Sequence, residues 1–143
     1  MPGADPVLLD THVWLDVALG RKSSISARVL RRLESAAKAG TLYVAAITPW
    51  EIAMLSSRGR VRVNGPLLEF VTESLRETRT AVVPLEPSIA VDAVELPSWN
   101  HRDPADRLIV ATARHVGGVL VTRDTAILDY ADSAKAVRVL EPR

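Results

Sequence analysis

Apolar and polar positions fall into two kinds of block along this chain. Short unbroken apolar runs occur at residues 7–9, 42–47, 81–84 and 119–121, and a fifth run, broken by Arg138, at 137–140. A short continuous run bounded by turn residues is the signature of a strand buried on both faces, so each of these is read as a strand. Between them, apolar residues recur three or four apart, which lines one face of a helix. Residues 11–19 form the first such stretch, closed by Gly20 after a loose lead-in over residues 1–6, and residues 21–24 are a polar linker. Residues 26–39 carry an apolar stripe of Val29, Leu30, Leu33, Ala36 and Ala37, stopped by Gly40. Thr48-Pro49-Trp50-Glu51 reads as a helix start, with Thr48 as N-cap, Pro49 at the first helical position and Glu51 completing a capping box.

That helix is expected to run to about Ser57, followed by a basic loop with Arg58, Arg60 and Arg62. A helix over residues 66–79 is expected to turn Leu67, Leu68, Val71 and Leu75 inward, and one over residues 87–94 to bury Ile89, Ala90 and Ala93. Residues 96–100 read as a loop. Asp103 and Pro104 then suit the cap and first position of a helix whose apolar residues Leu108, Ile109, Ala111, Thr112 and Val116 leave little polar surface, so it is placed centrally. Gly117 and Gly118 end it. Thr122-Arg123-Asp124 leads from the fourth strand into another helix, and the last strand is expected at an edge. Alternation of strands and helices argues for a three-layer α/β/α arrangement with a central, mainly parallel sheet, built as a single domain over residues 1–143.

Composition narrows the class. Of the 143 residues, 48% are hydrophobic and 24% charged, the balance of a chain with a packed core rather than a disordered one. The absence of cysteine excludes a disulfide scaffold and a thiolate metal site, and suits a reducing cytoplasm. The sequence has no apolar run long enough to span a bilayer, so no membrane partner is expected. A net charge of +1 neither demands nor excludes nucleic acid, and charge placement must decide.

Placement points to acids. Asp10 ends the first apolar run, Glu51 sits in the first turn of the helix after the second, Asp106 sits in the first turn of the central helix, and Asp124 follows the fourth run. Each lies at a strand-to-helix junction, and in a parallel sheet such junctions share one edge. Taken singly, each has a local role as a cap or as a charge at a helix N-terminus. Together, carboxylates gathered in a partly dry pocket repel one another and must be neutralised by protons, basic residues or a cation. A hard divalent ion, Mg²⁺ or alternatively Mn²⁺, suits oxygen ligands and accepts one or two carboxylates with waters and phosphate oxygens. Zinc does not suit a chain with no cysteine and three histidines without ligand-like spacing. Such an ion activates water for phosphodiester hydrolysis.

Four segments carry a resemblance: Leu9-Asp10-Thr11-His12-Val13-Trp14-Leu15, Trp50-Glu51-Ile52-Ala53, residues 101–111 (His101-Arg102-Asp103-Pro104-Ala105-Asp106-Arg107-Leu108-Ile109-Val110-Ala111) and Leu120-Val121-Thr122-Arg123-Asp124. With them in this order, nearly the whole chain resembles PIN-domain nucleases, and among them the VapC-type toxins of bacterial toxin–antitoxin pairs. The resemblance implies a Mg²⁺-dependent endoribonuclease acting on RNA, a homodimer, and a small antitoxin whose tail covers the catalytic groove. It places Asp10, Glu51, Asp106 and Asp124 at the family's acidic positions, with Asp10 and Asp106 foremost in metal contact, Asp103 as helix cap or supporting group, and Thr122 as a hydroxyl that supports the site.

The remaining polar residues have plainer readings. Arg28, Arg31 and Arg32 are taken as a solvated helix face, with RNA or an acidic partner segment as the alternative. His12 reads as a turn cap with carboxylate orientation as the alternative, His101 as a loop hydrogen bond, and His115 as an imidazole at a helix C-terminus. Trp14, Trp50 and Trp99 read as core or interface. Two rival functions share the acid pattern. A receiver-like signalling domain also gathers acids at strand ends, but it needs a doubled acid after the first strand and a lysine directly after a late one. A catalytically inactive PIN-fold binding module would not need its acids intact.

Overall fold

The computed structural model describes residues 5–100 and 103–143. His101 and Arg102, and with them the reading of His101, lie outside the described residues. Among the described residues, five strands make one sheet: β1 (Val7–Leu9), β2 (Leu42–Ala45), β3 (Ala81–Val83), β4 (Val119–Val121) and β5 (Arg138–Leu140). Seven α-helices connect them: α1 (Thr11–Ala18), α2 (Ala27–Ala39), α3 (Ile47–Ser57), α4 (Leu67–Glu77), α5 (Pro87–Glu95), α6 (Pro104–Val116) and α7 (Thr125–Ala134). All four strand pairings are parallel, in the order β3-β2-β1-β4-β5, which puts β5 at an edge as its sequence suggested.

Side-chain alternation along the strands divides the core in two. Leu8 and Leu120 point to one face and pack with Ile89, Ala93, Ile109 and Ile127 from α5, α6 and α7. Val7, Leu9, Val119 and Val121 point to the other and pack with Trp14, Val29, Leu33 and Val71 from α1, α2 and α4. Both faces of the central strands are dry, which is why these strands read as unbroken apolar runs. The result is the expected α/β/α layering.

The chain order creates the functional edge. It winds outward from β1 through β2 to β3, then crosses back to lay β4 on the other side of β1. β1 and β4 are therefore neighbours whose following segments, residues 10–11 and 122–124, diverge at the carboxyl ends of the strands. Ligands bind at such a reversal of winding direction. The opposite edge is closed tightly. Val119 N–H donates to Pro6 C=O at 3.0 Å, and a Cβ on Gly118 would stand 2.3 Å from that carbonyl oxygen. α6 ends at this closed edge, so its N-terminus, with Asp103 and Asp106, lies toward the open one.

Three expectations are corrected. β2 stops at Ala45, and the helix starts at Ile47 with Ala46 as N-cap, so Thr48 and Pro49 lie inside α3 and no capping box forms. Thr48 is buried and spends its hydroxyl on a tertiary contact instead of its own helix end. Leu68 is 77% exposed, not inward; the buried positions of α4 are Val71 and Ser74, with Leu67 and Leu75 half-buried beside them. Helix amphipathicity fixes the stripe, but Leu68 sits one residue off its centre.

Candidate active site at the carboxyl edge

Asp10 continues β1 past its last paired residue. Its N–H donates to Val121 C=O at 3.0 Å, while its own C=O accepts from Trp14 N–H at 3.0 Å. One residue thus closes the strand and opens α1, in extended conformation with φ −62° and ψ 155°. Its side chain is buried and both carboxylate oxygens are held. Oδ1 accepts from Thr11 N–H at 2.8 Å and Oδ2 from the Thr122 hydroxyl at 2.7 Å. The Thr122 oxygen in turn accepts from Asp124 N–H at 3.0 Å, and Asp124 caps α7 by accepting from Ile127 N–H at 3.1 Å. Thr122 therefore ties the ends of β1 and β4 together through one fully buried hydroxyl.

Glu51 reaches the same site from α3. Its Oε1 accepts the Thr11 hydroxyl at 2.5 Å. Thr11 has one hydroxyl proton, so the 2.9 Å contact between the Thr11 and Thr48 oxygens is made by Thr48 donating. A relay of two threonines thus runs from Thr48 through Thr11 to Glu51. Neither threonine stood out in the sequence as a site residue. A possible signal for Thr11 was its polarity at the first position of a helix that is otherwise buried.

The electrostatics follow from burial. Desolvation pushes the Asp10 carboxyl above its ordinary value, and the nearby Asp124 charge pushes the same way. The hydrogen bonds from Thr122 and Thr11 and the His12 charge pull it back. Glu51 is also raised, first by desolvation, with Asp10 and Asp103 adding to it against the Thr11 hydrogen bond and His12. His12 is exposed and faces these acids, so it acts on the carboxylates; the cap of the α1 turn is Asp10. The structure thus brings Asp10, Glu51 and Asp124 into one field, with Asp103 coupled to it through Glu51. Asp103 caps α6, accepting from Ala105 N–H at 2.9 Å. Asp106 is buried one turn further on in α6, the helix that packs on β1, β2 and α3.

A second polar cluster borders this one. Asp16 interrupts the apolar run of α1 and is largely buried. Its carboxylate accepts from Ser24 Oγ at 2.8 Å and pairs with Arg123 Nη2 at 2.9 Å and Arg21 Nε at 3.4 Å. Asp10, His12, Asp16, Arg21, Arg123 and Asp124 line a shared cavity of about 300 Å³. The sequence reading passed over Asp16, although an acid between Leu15 and Val17 on a buried helix was a visible signal.

The donor set can be tested for a cation. Among the described residues, no three acids or histidines stand close enough to form a ready-made cage. Mg²⁺ does not require one, since it keeps several waters and takes one or two carboxylates. The groups offered are carboxylate and hydroxyl oxygens, the arginines of the cavity are turned to Asp16, and the burial and neighbouring charge that disfavour ionised Asp10 and Glu51 are what a cation relieves. The residues fit a hard divalent ion.

Comparison with known proteins identifies the fold and the family. A family model described as the PIN domain matches residues 7–133. Ribonuclease VapC22 of Mycobacterium tuberculosis is 38% identical over 126 residues, spanning 87% of this chain and 91% of its own. In structure, VapBC2 from Rickettsia felis, solved bound to a DNA fragment from its promoter, superposes with a TM-score of 0.68 at 15% identity, over 94% of this chain and 97% of that one. A toxin–antitoxin complex from Klebsiella pneumoniae gives 0.59 at 20% identity, over 96% and 98% of the two chains. At these identities the two structures establish the fold.

Proposed function

The chain belongs to the PIN-domain family, and on that premise we propose that it is a metal-dependent endoribonuclease, the toxin of a toxin–antitoxin pair. The observation that carries the reading is the buried Asp10 carboxylate, fixed at both oxygens between Thr11 and Thr122 at the reversal of strand order. The name of the 38% identical relative supports the ribonuclease activity, and the Klebsiella complex supports an antitoxin partner.

In this reading Asp10 and Asp106 would contact the metal directly, and Glu51 and Asp124 would hold the ion or its waters. When bound, Mg²⁺ or Mn²⁺ supplies a water of lowered pKa and positive charge against the phosphoryl oxygens of the transition state. The two hydrogen bonds on Asp10 prevent its carboxylate from rotating away, while each oxygen keeps a lone pair for a further ligand. Thr11 fixes Glu51 through Oε1 and leaves Oε2 open to accept a proton from water. A carboxyl whose pKa burial has raised is a better base for that step than an exposed one. Thr122 and Asp103 support: Thr122 orients Asp10, and Asp103 anchors the N-terminus of the helix that carries Asp106.

The antitoxin seat we propose is a groove of about 410 Å³ beside α2, with an apolar floor of Val17, Leu30, Leu33 and Ala37 and a rim on which Lys22, Lys38 and Arg79 outnumber Glu34 and Glu77. The Arg58–Arg62 loop adds positive charge elsewhere on the surface. A tail carrying both acids and apolar side chains matches that lining. A homodimer is proposed as well, supported by exposed Trp50, Val91 and Val94, which a monomer leaves in water.

The test is Asp10→Asn. Asparagine keeps the shape and can still accept from Thr11 N–H, but it removes the charge that holds a cation. Mg²⁺-dependent cleavage of single-stranded RNA should disappear while the folded protein persists, read by gel assay beside circular dichroism. Near wild-type cleavage by the rigorously purified variant overturns the site.

A further inference from the structure

We propose that Arg21 and Arg123, held by the buried carboxylate of Asp16, form a binding site for an RNA backbone phosphate adjoining the one that is cleaved. This rests on the ribonuclease reading above and extends it from the reacting centre to how the strand is gripped.

The argument begins with the cost of placing Asp16 where it is. An acid between Leu15 and Val17 on a helix facing the core is desolvated, and such a charge persists when it is paired and hydrogen-bonded. Asp16 is fully provided for, by Ser24, Arg21 and Arg123. The pairing is unequal, however. One carboxylate serves two guanidiniums, so the cluster carries a net positive charge. It stands in the same cavity as Asp10 and Asp124, which are negative. The cavity therefore has one acidic wall suited to a cation and one basic wall suited to an anion.

The basic wall is preorganised. Arg123 Nη2 stands 2.9 Å from the Asp16 carboxylate and Arg21 Nε 3.4 Å from it, so one buried charge draws both guanidiniums to the same wall, Arg123 the more closely. A guanidinium carries five N–H donors and matches phosphate geometry with two at once. Both arginines line the cavity, and their side chains are 59% (Arg21) and 41% (Arg123) exposed, so they are within reach of a ligand that enters it. Arg123 also lies between Thr122 and Asp124, the residues that fix the acidic wall, so the two walls share one backbone segment. A nucleic acid strand presents phosphates in succession, and a site that cuts one needs its neighbour held. Two ion pairs that only tie α1 to the segment after β4 would look similar in structure but would not touch RNA.

Salt dependence separates these. Binding of a single-stranded RNA oligonucleotide of mixed sequence is measured with Mg²⁺ in the Asp10→Asn background, where RNA is not cut. The slope of log affinity against log salt should fall by about 0.7 on adding Arg123→Gln, and similarly for Arg21→Gln, because each phosphate contact to a single strand releases about that many counterions. Arg123→Lys, which keeps the charge, should restore most of the slope. An unchanged slope in both glutamine variants overturns the proposal. Asp16→Asn provides a second readout in the otherwise wild-type chain. Removing a negative charge should leave RNA binding as tight or tighter, whereas loss of the anchor should lower kcat roughly tenfold or more through misplacement of the strand. Unaltered kcat in a folded Asp16→Asn protein counts against positioning. If Asp10→Asn itself cuts RNA, the ribonuclease site is wrong; if Asp10→Asn is inactive and the slopes do not move, only the phosphate site is.

Discussion

At the scale of single residues, the site holds charges that the fold itself disfavours. Asp10 and Glu51 have carboxyls raised by burial above their ordinary values of 3.8 and 4.5. A group raised in this way binds its proton more tightly folded than unfolded, so it stabilises the folded state at low pH. That contribution is lost as pH rises from the ordinary value through the raised one. The metal-free wild type should therefore lose more stability through this window than Asp10→Asn, which keeps only the raised Glu51 of the two. Melting both proteins in chelator across a pH series checks it, and parallel curves refute it. Added Mg²⁺ should stabilise the wild type more near neutrality than in that window, where protons compete for the same oxygens. Glu51 offers a second separation. Glutamine can still accept from Thr11 and no capping box is at stake, so Glu51→Gln should melt within about 1 kcal/mol of wild type, the order of one exchanged hydrogen bond. Its cleavage rate should nonetheless drop by orders of magnitude. A fully active Glu51→Gln would leave the residue a bystander.

At the scale of elements, the two ends of the sheet do different work. The carboxyl edge is open and acidic, whereas the amino edge is sealed where Gly118 meets Pro6. An added Cβ there meets backbone carbonyl, which cannot rotate aside. Gly118→Ala should destabilise by about 1–3 kcal/mol, the usual range for overpacking. The distance from the active edge means that cleavage per folded molecule should be unchanged at low temperature, with only the melting temperature displaced. A loss of rate in fully folded Gly118→Ala would show that the edges are coupled. α6 joins the two edges, its Gly117 cap at φ 68° at one end and Asp103 at the other, with Asp106 between them in the first turn.

At the scale of the whole molecule, what remains exposed concerns partners. Trp50, Leu68, Val91 and Val94 are apolar and in water, and the groove beside α2 has a hydrophobic floor with basic residues on its rim. Coexpression with a small antitoxin encoded beside the gene should yield a complex that survives purification and relieves growth arrest. Lys38→Glu, at the exposed rim of the groove, should weaken that complex more than it weakens RNA cleavage by the free protein. Copurification unaffected by the groove variant moves the seat elsewhere. Sedimentation of the isolated chain tests the homodimer separately. Among the described residues, no helix is long and apolar enough to cross a membrane.

The sequence by itself determined the alternation of elements, the parallel sheet with two dry faces, the caps at Asp103 and Asp124, and the placing of Asp10, Glu51 and Asp124 after strands; Asp106, expected at such a junction too, follows helix α5 instead. These features are local: an apolar run, a helical stripe and a cap are each written within a dozen residues. Tertiary structure decided what depends on contacts between distant segments. The order β3-β2-β1-β4-β5 made β1 and β4 neighbours, and only then did Thr122 reach Asp10 across 112 positions of sequence. The capping motif at Thr48 and Glu51 was locally sound yet lost, because Thr11 offered both side chains a buried hydroxyl partner 37 and 40 residues away. Asp16 was legible only as an oddity in an apolar helix until the fold supplied Arg21 and Arg123 around it. A buried polar side chain must find a partner, and which partner it finds is a property of the packed chain rather than of its neighbours in sequence.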